Sequence, residues 1–270
     1  MLKFAIPSLA VIIALVLAWL KAFYKRVKPS PVSQTYAPGK KPAKGIAQYI
    51  GLNAAPLKWM PFRLRWWGFW GNDRLGDCDF AACANAWKAT SRYLHTKFAL
   101  TLNQVEDAYQ TYCNQHSGGQ DAGADPRTVL QNWFVDGMWG EKILGWGPVN
   151  YVDLHEVQLA IYNFGACLLS VHLPRPAYTY QMRGLRRTWK LTGTPADDDY
   201  VGYHEILAVG YDAKFVYVLT WGVIVRVTIP WFKKYVLDAN TLITPAVAQA
   251  GRFSEEQLSE LQADLSTLNA

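Results

Sequence analysis

Two short runs hold the residue types that acyl chemistry by a thiol needs. The first, Gly71-Asn72-Asp73-Arg74-Leu75-Gly76-Asp77-Cys78, leads into Cys78-Asp-Phe-Ala-Ala-Cys-Ala-Asn-Ala-Trp87, which reads as a helix. A cysteine in the first turn of a helix meets unpaired N–H groups and the positive end of the macrodipole, and both favour thiolate over thiol. Asn72 carries an amide that can donate to a tetrahedral oxyanion, with the Cys78 N–H as the second donor. The other run, Gly202-Tyr203-His204-Glu-Ile-Leu-Ala-Val-Gly210-Tyr211-Asp212, puts His204 at the head of a strand more than a hundred residues later. A thiol on a helix and an imidazole on a strand are the two halves of a nucleophile–base pair.

In order and spacing, residues 59–235 resemble the papain-like cysteine proteases. That family carries Gln, Gly and Cys in the loop before its nucleophile helix; here stand Asn72, Gly76 and Cys78, followed by Phe80, Ala81 and Ala82. His204 to Tyr211 is similar to the family's histidine segment, and Leu219-Thr220-Trp221-Gly222 stands where the family has Asn-Ser-Trp-Gly. The stretch from Ala160 to Val171 looks like the strand-bearing segment ahead of the histidine. The Gly-Asp-Cys and Thr-Trp-Gly variants are most similar to papain-like proteins of bacteria and their phages.

The resemblance implies an α+β, two-lobed fold, with a helical lobe carrying Cys78, an antiparallel β lobe carrying His204, and a cleft between them. It implies a peptidase or amidase acting on protein or on peptidoglycan peptide, with no metal or organic cofactor. Cys78 would attack, His204 would carry the proton, and Asn72 would serve the oxyanion. Two departures stand out. Asn72 is shorter than the usual Gln. The Asn that orients the imidazole is absent: alignment on Trp221 puts Leu219 there, whereas counting from His204 puts Thr220 there. Leucine cannot hold a tautomer and a threonine hydroxyl does so only weakly, so Thr220 is the candidate for orienting His204 and Trp221 for shielding it. The missing Asn, with the tether and extra C-terminal helix described below, suits a second reading, a non-catalytic papain-like structural or binding module of an envelope or membrane-containing virion.

The elements that must position these groups can be read from capping and periodicity. Asp77 can cap the nucleophile helix, whose Ala81, Ala82 and Ala84 allow close packing. Thr101-Leu-Asn-Gln104 is a capping box opening a second helix, Asp125-Pro126 starts a third that Gly137 ends, and Asp153-Leu-His-Glu156 opens a fourth closed by Gly165. Strands are expected over 166–171, 204–211, 215–220 and 223–229. Tryptophans 59, 66, 67 and 70 crowd the segment before the nucleophile loop and read as core packing, or else as a cleft lining or bilayer contact. Residues 174–202, with four arginines and Asp197-Asp198-Asp199, read as a long polar loop beside the cleft. His95, His116, His155 and His172 have no comparable context, and Cys83, Cys113 and Cys167 suit neither a disulfide framework nor metal-ligand spacing.

Residues 4–20 carry no charge, and with Ala22-Phe23-Tyr24 they read as a single membrane-spanning anchor (1–25) in contact with the bilayer through residues 4–24. No convincing small-residue cleavage site follows it. Lys21, Lys25, Arg26 and Lys28 follow immediately, and the sequence leaves the side of the membrane open. Residues 26–45 form a basic, proline-rich tether, 46–250 the papain-like domain, and 251–270 an amphipathic C-terminal helix for packing or for a protein partner. Residues 1–45 hold eight Lys or Arg and no acid, against +6 for the whole chain, so the remainder carries −2. The basicity therefore belongs to the anchor and tether, and nucleic-acid binding by the folded domain is excluded as an expectation.

Overall fold

The computed structural model describes residues 38–51, 54–61, 67–93, 95, 99–182, 188–191, 199–250 and 253–268. The expected span at 4–24, the tether before residue 38, and Trp66 lie outside these. Among the described residues no helix is long and apolar enough to cross a membrane.

Helices come first and strands later, an α+β order. A short α1 (Ile46–Tyr49) precedes the three expected helices α2 (Cys78–Tyr93), α3 (Leu102–His116) and α4 (Pro126–Val135). After β1 (Gly145–Pro148) come α5 (Leu154–Phe164), β2 (Cys167–Pro174), α6 (Arg175–Met182) and β3 (Thr188–Trp189). The chain continues through β4 (Tyr200–Tyr211), β5 (Phe215–Thr220), β6 (Val223–Thr228), α7 (Ile229–Tyr235) and β7 (Val236–Ile243). It closes with α8 (Pro245–Gln249) and α9 (Glu255–Thr267). The strands form one seven-stranded sheet in the order β1-β7-β2-β4-β5-β6-β3, antiparallel except where β3 pairs with β6.

Local chemistry explains the helix starts. Thr101 and Gln104 close a reciprocal capping box on α3, Asp125 accepts from Thr128 N at 2.9 Å on α4, and Asp153 accepts from His155 N on α5. Gly165 ends α5 in the left-handed conformation. Asp77 departs from expectation. Its backbone carbonyl accepts from Ala81 N at 2.9 Å, but its carboxylate is fully buried and is met by the Asn72 side chain, not by the first turn of α2, so the side chain does not cap the helix.

The small residues of α2 let it lie close on β4: Ala81, Ala82, Ala84, Ala86 and Ala89 are all buried. The entry segment joins the same core. Trp59 pairs through its backbone with Tyr211, and Gly210 lets it do so, because a Cβ there would sit 2.8 Å from Trp59 O. Trp67 and Trp70 are buried, and Asn85 of α2 binds Trp70 Nε1 and the carbonyls of Gly68 and Ala81, each at 3.0 Å. Core packing is thus the role of these two rings, not a bilayer contact.

The expected polar loop at 174–202 is partly regular, holding α6 and β3. Arg175 N and Nε both reach Asp199, each at 2.9 Å, and pin its two ends together; 183–187 and 192–198 lie outside the described residues. At the other end of the sheet, α9 docks on β1 with Leu261 and Leu265 fully buried, which stabilises by roughly 2 kcal/mol per leucine. Gln131 of α4 joins the two by accepting from Trp146 Nε1 at 2.9 Å and donating to Leu265 O at 3.0 Å. The N-terminal described segment is stitched to the same region. Gly39 N donates to Asp125 at 2.7 Å, Arg127 Nη1 to Gly39 O at 3.2 Å, Ala43 N to Asp264 at 3.2 Å, and Lys44 pairs with Glu260 at 2.5 Å.

Candidate active site

The loop ahead of α2 is fixed from outside. Arg74 N and Leu75 N both donate to Gly71 O, and Gly76 N donates to Asp121 at 2.9 Å, an aspartate that also accepts from Tyr109 OH of α3. That clamp sets where Cys78 starts its helix. Cys78 is half-buried and its thiol donates to Asp79 Oδ2 at 3.5 Å. The thiol is pushed well above its ordinary pKa, first by burial and then by the Asp79 charge, while the Glu205 N–H facing it pulls the other way. Burial and a like charge thus oppose the thiolate that the helix dipole favours.

His204 lies within β4, which begins four residues earlier than expected, at Tyr200. It is 3% exposed, and its Nε2 lies 2.8 Å from Thr220 Oγ1. Leu219, the other residue that could have stood for the missing Asn, is core and pairs with Leu207 and Ile224. Trp221 covers the imidazole, stacked at 4.3 Å between centroids and 12° between planes, and Tyr178 of α6 meets Trp221 edge-on. This cover depends on a tight turn. Trp221 and Gly222 are the two residues between β5 and β6, and both have positive φ, +43° and +70°, as a type I′ hairpin demands. Asn is the usual first residue of such a turn, so Trp is held there at some backbone strain. Gly222 meets a second demand, since a Cβ would lie 2.9 Å from Phe69.

Burial depresses the His204 pKa to about 3. Asn72 is 3% exposed, and its Nδ2 makes a 3.5 Å contact with Leu75 O, the outer limit of a hydrogen bond. Sequence reasoning missed two acids at this site. Asp79 and Glu205 are 3% and 5% exposed and flank Cys78 and His204 in the chain; Ser170 of β2 donates to Glu205 Oε2 at 2.7 Å. An acid set inside the apolar run 204–211 was the available signal. Burial lifts Asp79 to about 7 and Glu205 well above the carboxylate range. Among the described residues no three His, Cys, Asp or Glu side chains group closely enough to hold a metal ion. All four cysteines are free, and Cys83, Cys113 and Cys167 are buried.

No protein-family model matches the chain, and no curated protein does. Solved structures do. Xylellain, a cysteine protease from Xylella fastidiosa, is similar with a TM-score of 0.57 over 80% of this chain and 98% of its own, at 13% identity. The Carica candamarcensis cysteine protease CMS1MS2 matches at TM-score 0.45 and 16% identity, over 63% of this chain and 89% of that one. Digestive procathepsin L 3 of Tenebrio molitor matches at 0.43 and 11%, over 83% and 78%. At such identities it is the fold that is shared, and this chain has the fold of the papain-like cysteine proteases.

Proposed function

We propose that this chain is a membrane-anchored thiol hydrolase, a peptidase or amidase, with Cys78 and His204 as its working pair. The observation that carries the reading is the 2.8 Å contact between His204 Nε2 and Thr220 Oγ1, which occupies one ring nitrogen and leaves Nδ1 for the thiol. The Glu205 N–H facing the Cys78 sulfur supports it by bringing the residue next to His204 up to the nucleophile. With both partners neutral at rest, proton transfer accompanies attack instead of preceding it. Cys78 Sγ bonds to the acyl carbon as its proton passes to His204, and the Cys78 N–H and Asn72 amide meet the oxyanion. The tetrahedral intermediate collapses, His204 returns the proton to the leaving amine, and water then cleaves the thioester. Protein and peptidoglycan peptide are the two substrate classes proposed, and residues 4–24 the bilayer contact.

Burial also supports a second reading. A histidine held near 3 and a thiol held high suit a papain-like module that binds or builds without catalysing. An activated ester separates the two readings without a known substrate. The full chain in detergent, given p-nitrophenyl acetate, is expected to release a burst of p-nitrophenol and to carry acetyl on Cys78 by mass spectrometry. Cys78→Ala abolishes the burst and His204→Ala slows it at least about tenfold. A burst that ignores both substitutions, or no burst from folded protein, decides for the module.

A further inference from the structure

Asp79 has no counterpart in the roles assigned so far. It follows the nucleophile directly, is nearly inaccessible, and places Oδ2 3.5 Å from Cys78 Sγ. The thiol's proton therefore has an acceptor on its own helix, apart from His204. The groups around this carboxyl come from five elements: Cys78 and Cys83 on α2, Tyr112 on α3, Asp125 at the cap of α4, Glu205 on β4, and Asp238 on β7 behind Glu205. Arg127, which pairs with Asp238 of this set at 2.9 Å, is also engaged by Gly39 O. Asp79 thus sits among acids and thiols, and its bonded contact is Cys78.

We propose that Asp79 holds the proton of the nucleophile: its carboxylate accepts the Cys78 thiol hydrogen and keeps the sulfur protonated, and protonation of Asp79 removes that hold. In the protonated state the thiol that ionises leaves its sulfur anion beside a neutral carboxyl, whose O–H can donate to it. In the ionised state the same step would set two negative charges side by side, which like-charge repulsion opposes. Burial lifts Asp79 to about 7, so the exchange falls in the neutral range. The consequence for catalysis rests on the reading of Cys78 as the nucleophile; the hold on the proton does not.

The test is the pH dependence of Cys78 alkylation by iodoacetamide in the full chain in detergent, read at the Cys78 peptide with Cys78→Ala as blank. In the wild type, log rate against pH is expected to rise, flatten as Asp79 ionises, and rise again. Asp79→Asn is expected to abolish the flattening and to react about tenfold faster at neutral pH, and Asp79→Glu to restore the two-step curve. An Asp79→Asn curve that superimposes on the wild type overturns the proposal. Should that variant fail to melt cooperatively, the wild type decides alone, and a single-step curve overturns it. Ester turnover is scored separately. A shifted curve without turnover leaves this inference standing and sinks the hydrolase; turnover with an unshifted curve does the reverse.

Discussion

Thr220 Oγ1 stands 2.8 Å from His204 Nε2, a side-chain hydrogen bond made inside the core. A neutral hydrogen bond of this kind contributes about 1 kcal/mol. Thr220→Val keeps the shape and removes the bond, and is expected to slow acetylation of Cys78 roughly fivefold. Thr220→Asn offers a stronger acceptor and is expected to exceed the wild type. A valine variant as fast as wild type would show that the ring is held by packing alone.

Trp221 is expected to set the protonation of His204. Trp221→Asn keeps a residue suited to positive φ and uncovers the ring. The His204 titration should then climb from about 3 toward the ordinary 6.5, as followed by NMR of the ring protons. Stability should fall by about 3 kcal/mol for the lost aromatic burial, offset by about 1 kcal/mol of relieved strain. An unmoved titration would place the source of the depression elsewhere.

Asp77 makes stability depend on pH in the direction opposite to His204. Burial lifts its carboxyl from 3.8 to about 8, so the folded form keeps a proton that the unfolded chain has lost. Its contribution is intact below 3.8 and is lost as pH rises toward 8. His204, depressed to about 3, destabilises the fold only as pH falls below 6.5. Asp77→Asn is expected to be more stable than wild type, by a margin that widens between pH 5 and pH 8 by roughly 3–4 kcal/mol. Urea melts at the two pH values measure it, and a constant margin would mean that Asp77 is not buried as a neutral acid.

Leu261 interlocks with Gly145, where an added Cβ would lie 2.9 Å from its Cδ2. Leu261→Ala is expected to cost about 2–4 kcal/mol in urea melts, and Ser254→Ala, which opens the α9 capping box, about 1 kcal/mol. A loss under a few tenths for Leu261→Ala would show α9 to be a detachable appendage.

Much of this fold is written locally. Thr101, Asp125 and Asp153 announce their helices because a cap acts within four residues, and β5 and β6 are Val-rich runs around a two-residue turn. Strand β7 was missed because Asp238, Asn240 and Thr241 break its apolar pattern, and their burial is set by partners such as Arg127 and Ala166 O from distant chain. Gly145-Trp-Gly-Pro148 carries no strand pattern of its own, and becomes β1 because Asn240 to Ile243 pair with it. At the site, the two alignments point to Leu219 or Thr220 and side-chain chemistry favours Thr220; strand register puts Leu219 in the core and Thr220 on His204. What opposes the thiolate and what turns the Asp77 side chain away from capping have one reason. A helix start is visible in sequence, while the depth at which it is buried is not.

The stitching of Gly39, Ala43 and Lys44 onto the α4 cap and α9 has a mechanical meaning. A force arriving along the chain ahead of Gly39 meets first the paired bonds of Gly39 with Asp125 and Arg127, then those of Ala43 and Lys44 with α9. These must rupture one after another before any load reaches the β2–β4 ladder that carries His204. The first and last described segments of the domain thus form a sacrificial clasp, which yields under tension while β2 and β4 keep their register.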